Sequence, residues 1–132
     1  MKWVSKGKKK KYSVKRFFKG FGYAFCGIIS AVKKEQNLLI ELIVASITII
    51  LGFLLNISTI EFCIVVITIG IVISLELVNS AIEYTVDMAM PEMHPLAKIA
   101  KDVAAGSVLF FSICAFIIGL IIYLPKIISI LS

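Results

Sequence analysis

The chain has 132 residues, of which 60% are hydrophobic and only 17% charged, and its mean hydropathy is +1.03. Soluble domains carry about 45–50% apolar and about 25% charged residues, so a water-soluble globule and a disordered chain are both excluded, and the length allows one domain. The net charge is +6, with eleven of the fourteen Lys and Arg before residue 35; in so apolar a chain this reports membrane topology and attraction to anionic lipid, and nucleic acid is not an expected partner.

Residues 1–12 read as a flexible basic tail, and 13–132 as a single membrane-embedded domain. Over residues 13–34, Val14, Phe17, Phe18, Phe21, Phe25, Ile28 and Val32 recur every three or four positions, which makes one apolar face on a helix. Lys15, Lys19 and Lys33 fall away from the centre of that face. Such an amphipathic helix either lies in the membrane interface or packs on a bundle, and both place it beside the ends of the spans. Three continuous apolar runs follow: Leu38 to Leu55, Phe62 to Val78 with a continuation to about residue 89, and Val103 to Leu124. Each approaches the roughly 20 residues that an α-helix needs to cross a bilayer. Backbone groups must be satisfied inside lipid, and the runs do not alternate as barrel strands would. The expected class is therefore all-α integral membrane: three transmembrane helices and an N-terminal surface helix.

Lys and Arg set the expected orientation. The basic segment to Lys34 belongs in the cytoplasm. The stretch from Asn56 to Glu61 has neither Lys nor Arg and belongs outside. Asp87 to Asp102, with Lys98 and Lys101, belongs inside, which leaves the C-terminus outside. Pro91 and Pro95 bracket Glu92-Met93-His94 and mark a loop there. Cys26, Cys63 and Cys114 are odd in number, lack C-x-x-C spacing and sit in apolar stretches, so they read as small packing residues. The lone His94 builds no zinc site.

The informative residues are polar ones in costly places. Glu76, Asn79, Glu83 and Asp87 have offsets of 0, 3, 7 and 11, which at about 100° per residue fall in one narrow stripe of a helix. Three carboxylates on one stripe repel each other, and a cation relieves that repulsion. An oxygen-only set of this kind suits Mg²⁺ better than zinc or copper. A helix end emerging into water accounts for Asp87 and Glu83. It does not account for Glu76, which follows a long apolar run and would cost about 2.5–3.5 kcal/mol at mid-bilayer. Glu41 poses the same problem in the first span. Lys98, Lys101 and Asp102 precede the third span. Lys101-Asp102 puts a cation and an anion where the acidic stripe ends, a pattern that suits a Mg²⁺-nucleotide. Lys98 also fits a plain snorkelling anchor. Neither a P-loop nor a protein-kinase glycine loop is present. Spacing alone supports a cation- or phosphate-handling membrane protein. A small ion-coupled carrier or assembly subunit is the non-enzymatic alternative; against it, the carboxylates cluster at one side and no inverted repeat is visible.

Glu76-x-x-Asn79-Ser80-Ala81-Ile82-Glu83-x-x-x-Asp87, followed by Lys98-x-x-Lys101-Asp102-x-Ala104-Ala105-Gly106, resembles the small prokaryotic diacylglycerol kinase family. The likeness extends upstream to Arg16-x-x-Lys19-x-x-Gly22-Tyr23 and to Glu35. It implies a homotrimer in the bacterial cytoplasmic membrane that moves the γ-phosphate of ATP to a membrane lipid alcohol, with a site shared between protomers. It further implies Glu76 as general base, and Glu35 and Glu83 as the Mg²⁺-binding carboxylates. Arg16, Tyr23, Glu92, His94, Lys101 and Asp102 match nucleotide-contacting positions, and Asn79 and Asp87 match supporting polar ones. Glu35-Gln36-Asn37 and Lys101-Asp102-Val103-Ala104-Ala105-Gly106 resemble the Gram-positive branch, associated with undecaprenol kinase activity. Glu41 departs from it: that branch often has His there, and Glu is similar to the diacylglycerol kinase branch.

Overall fold

The computed structural model describes residues 13–132; the stretch read as a basic tail lies outside them. Four helices follow in order: α1 (Val14–Lys34), α2 (Gln36–Leu54), α3 (Thr59–Ala89) and α4 (Pro95–Leu131). The last three are long and apolar enough to cross a membrane.

α1 carries the aromatic stripe read from the sequence. Phe17 meets Phe18 and Phe21 edge-on, with ring centroids 5.7 and 5.2 Å apart. Lys33 and Lys34 occupy its last turn, where cations favour the helix dipole. Only the last turns pack inward: Ala31 is buried, whereas residues 14–30 are exposed in the single chain.

One residue, Glu35, separates α1 from α2. Its backbone is extended (φ −103°, ψ 110°), and its N–H closes α1 on the Ala31 carbonyl at 2.8 Å. Its charge then sits at the start of α2, the favourable end of that helix.

The α2–α3 turn is built tightly. Asn56 takes the left-handed conformation (φ 49°), which Asn tolerates better than most residues. Ser58 and Glu61 form a reciprocal capping box: Ser58 Oγ accepts from the Glu61 N–H at 3.2 Å, and Glu61 Oε2 accepts from the Ser58 N–H at 2.7 Å. Helix α3 therefore starts at Thr59, ahead of the apolar run, and Glu61 belongs to its first turn instead of to the loop.

Pro95 is the first residue of α4, where its missing N–H costs nothing, so the loop ends before it. The α4 helix runs on through Pro125 to Leu131. α3 and α4 pack together most extensively, α2 lies along α3, and α1 touches α2 and α3. Few side chains are buried; Leu38, Val65, Ile122 and Tyr123 are among them. The many exposed apolar residues on α2, α3 and α4 suit a surface facing lipid.

Candidate active site

The α3 stripe acquires depth from the packing. Glu76 is 3% exposed, Asn79 7% and Ser80 2%, although each is polar. The Ser80 hydroxyl donates to the Glu76 backbone carbonyl at 3.0 Å. Asn79 Nδ2 donates to Glu83 Oε1 at 3.3 Å, linking successive turns of the stripe. Its Oδ1 is buried without a partner.

Helix packing adds carboxylates to this stripe from outside α3. Glu35, at the α1–α2 junction, and Glu83 both act electrostatically on Glu76. Glu76 in turn acts on Glu41 of α2, six positions beyond Glu35, whose Oε2 is also buried without a partner. Glu41, which the sequence marks both as a costly charge inside the first span and as a departure from the family branch, is thus coupled electrostatically to Glu76. Unpartnered buried polar atoms are rare and call for an explanation, such as a ligand, an ion or water.

The lower end of the stripe is tied to α4. Lys101 Nζ donates to Asp87 Oδ1 at 2.8 Å, and Lys98 Nζ donates to Asp102 Oδ2 at 2.5 Å one helical turn along. These pairs are exposed and add little stability, so they hold charge in position more than they hold the fold together.

Two residues in this region were not singled out from the sequence. The Tyr84 hydroxyl donates to Glu35 Oε1 at 2.5 Å, bridging positions 49 apart in the chain. The Lys34 ammonium lies 5.5 Å from the centroid of the Tyr84 ring. Tyr84 is eight positions after Glu76, off the stripe, so periodicity gave no signal for it.

The remaining candidates stand apart. Arg16 and Tyr23 are exposed on α1, seven positions apart and so on one face, roughly opposite Phe25. Glu92 is exposed in the α3–α4 loop. The His94 side chain caps α4 by accepting from the Leu96 N–H at 3.2 Å through Nδ1. Among the described residues, none of these four bonds to the carboxylate cluster.

For a divalent cation, the donor set here consists of oxygen alone. Among the described residues no three acidic, His or Cys side chains converge on one point. That fits Mg²⁺, which takes one or two carboxylates and completes its shell with water and substrate phosphates. Glu35 and Glu83 are the pair on offer: Tyr84 donates to the first and directly follows the second in sequence.

The model of the family described as prokaryotic diacylglycerol kinase matches residues 22–123, which include every candidate site residue except Arg16. An undecaprenol kinase of Bacillus subtilis (strain 168) is 48% identical over 111 residues, covering 84% of this chain and 90% of that protein. A diacylglycerol kinase of Synechocystis sp. is 37% identical over 112 residues, 84% of this chain but 64% of that longer protein. A diacylglycerol kinase of Haemophilus influenzae is 37% identical over 99 residues, 75% of this chain and 81% of that protein.

Proposed function

The chain belongs to the prokaryotic diacylglycerol kinase family, and from that premise we propose that it is an ATP- and Mg²⁺-dependent lipid kinase that phosphorylates undecaprenol. The single observation that carries the chemistry is Glu76: a buried carboxylate at the end of an apolar run, with Glu35 and Glu83 acting on it. The identity of 48% to an undecaprenol kinase supports the choice of lipid.

In this reading Glu76 takes the proton of the lipid hydroxyl. The hydroxyl oxygen then forms a bond to the γ-phosphorus as the bond from that phosphorus to the β–γ bridging oxygen breaks. The products are a lipid monophosphate and ADP, and the proton stays on Glu76 until solvent removes it. Phosphoryl transfer needs little covalent help from a protein and much alignment. The bilayer holds the lipid hydroxyl at one depth, and the span that carries Glu76 holds the base at the same depth. Glu35 and Glu83 would hold Mg²⁺, which when bound neutralises phosphate charge. Lys101, kept in place by Asp87, adds a point charge towards the phosphates, and Asn79 orients Glu83. Arg16 and Tyr23 reach the nucleotide from the polar face of α1, and Glu92, His94 and Asp102 border it from the α3–α4 region.

In the same reading the protein sits in the bacterial cytoplasmic membrane with its N-terminus in the cytoplasm, on the side that holds ATP; the Lys and Arg distribution supports this. A homotrimer accounts for the separation of Arg16, Tyr23 and Glu92 from the carboxylates, because a neighbouring copy can bring them in.

Glu41 favours a second lipid. Its carboxylate feels the charge of Glu76, and Glu at this place is similar to the diacylglycerol kinase branch. One assay decides: purified protein in vesicles, labelled ATP, and undecaprenol and diacylglycerol supplied side by side. Undecaprenyl phosphate should be the main product. Predominant phosphatidic acid transfers the assignment to diacylglycerol, and labelling of neither lipid removes the kinase reading.

A further inference from the structure

Glu35 is poorly held by its own backbone. It is the one non-helical residue between two helices, so neither α1 nor α2 restricts its side chain as a helix interior would. A carboxylate that binds a cation must nevertheless present its oxygens in a fixed direction. In this chain the direction comes from across the fold. The Tyr84 hydroxyl reaches from α3 to Glu35 Oε1 at 2.5 Å, and Lys34 lies on the ring of the same tyrosine at 5.5 Å from its centroid. One aromatic side chain is therefore gripped by two consecutive residues of the α1–α2 junction, at its polar tip and on its face. Tyr84 directly follows Glu83 on α3, so the grip brings the junction against the turn that carries the other candidate Mg²⁺ ligand.

We infer that Tyr84 is a positioning residue: its hydroxyl aims the Glu35 carboxylate, and its ring docks the α1–α2 junction on α3. The hydroxyl occupies one lone-pair site on Oε1 and leaves Oε2 free for a cation. A phenol suits the task because it is a neutral donor at working pH and adds no charge to compete with the metal. Lys34 limits the swing of the ring and also lies on the polar face of α1 that carries Arg16 and Tyr23, at offsets of 18 and 11. The inference rests on the reading of Glu35 as a Mg²⁺ ligand.

The test uses the full chain in vesicles, with turnover followed against free Mg²⁺ at saturating ATP and lipid, and with binding of Mn²⁺, as a stand-in for Mg²⁺, read by electron spin resonance with ATP present and lipid alcohol absent; the two titrations should shift together. Tyr84→Phe keeps the ring and its Lys34 contact and removes only the hydroxyl. Losing a partner that hydrogen-bonds a metal ligand costs about 10–100-fold in metal affinity. The Mg²⁺ concentration for half-maximal rate should accordingly rise about tenfold, while kcat at saturating Mg²⁺ stays within about twofold. A purely structural tyrosine would leave the Mg²⁺ titration of Tyr84→Phe on that of the unmodified enzyme, and that result overturns the inference. Glu35→Gln, titrated in parallel, separates the inference from its premise. If Glu35→Gln leaves Mg²⁺ dependence unchanged, the ligand reading itself fails. If Glu35→Gln shifts it and Tyr84→Phe does not, only the positioning role fails. With both roles in place, adding Tyr84→Phe to Glu35→Gln produces no further shift, because the carboxylate that the hydroxyl aims is already gone.

Discussion

The two ends of the helical bundle treat polar groups in opposite ways. At the α2–α3 turn every notable polar group has a partner of its own. Ser58 and Glu61 cap each other, Lys126 lies 3.8 Å from Glu61, and the Tyr123 hydroxyl donates to the Thr48 carbonyl at 2.8 Å. At the other end, carboxylates crowd together, and the two side-chain atoms that are buried without partners among the described residues, Glu41 Oε2 and Asn79 Oδ1, are both there. One end uses polarity to close helices. The other accumulates polarity that the protein leaves unsatisfied, as expected where a ligand completes the bonding. The contrast is useful because each end should fail in its own way when altered.

The largest expected effect is at Glu76. Glu76→Gln keeps shape and hydrogen-bonding capacity but cannot take up the proton in the same way, so turnover should fall by about 10²–10⁴-fold with ATP binding largely kept. Single-turnover kinetics beside nucleotide-binding measurements check this, and a fully active variant removes the base assignment. Next comes Glu83→Gln, which should raise the Mg²⁺ requirement by about a hundredfold, at or beyond the upper end of what losing an outer partner of a metal ligand costs. Ordinary activity at ordinary Mg²⁺ would dissolve the functional side of the contrast.

Changes at the turn end should lower stability and spare kinetics. A Cβ on Gly52 would lie 3.0 Å from Ile57 Cδ1 and 3.1 Å from the Tyr123 hydroxyl. The bulk of Gly52→Val must displace both, at about 1–3 kcal/mol of overpacking, visible as a lower unfolding temperature in detergent with KM unchanged. Ser58→Ala is the smallest step: loss of the cap should cost about 1 kcal/mol, measured the same way. A turn-end variant that lost Mg²⁺ affinity at full stability would break the division between the ends.

The features legible in the sequence are those set by helical period and composition. The apolar stripe of α1, the three spans and the alignment of Glu76 with Asn79, Glu83 and Asp87 all follow from spacing along one helix. The start of α3 is legible in principle, since Ser58 and Glu61 have the S-x-x-E spacing of a capping box, although the same stretch, free of Lys and Arg, equally suits an outside loop. The contact of Tyr84 with Glu35, the electrostatic coupling of Glu41 to Glu76 and the close approach of Gly52 to Tyr123 were not legible. Each depends on the rotation and depth at which two helices meet, and no local pattern encodes these. His94 illustrates a third case: family likeness points to the nucleotide, while the chain itself uses Nδ1 to cap α4.

The helices also differ in length. α2 has 19 residues and spans about 28 Å, close to the roughly 30 Å of a hydrocarbon core, whereas the 37 residues of α4 reach about 55 Å. α2 has no slack: Glu35 stands at one of its ends and the capped turn at the other, so it works as a ruler. Placed in a membrane of longer acyl chains, it must draw the leaflets towards each other locally or sink its ends into lipid. The depth of Glu35 and Glu41 is thereby referred to bilayer thickness, and the rate should have an optimum in acyl-chain length that lengthening α4 cannot move.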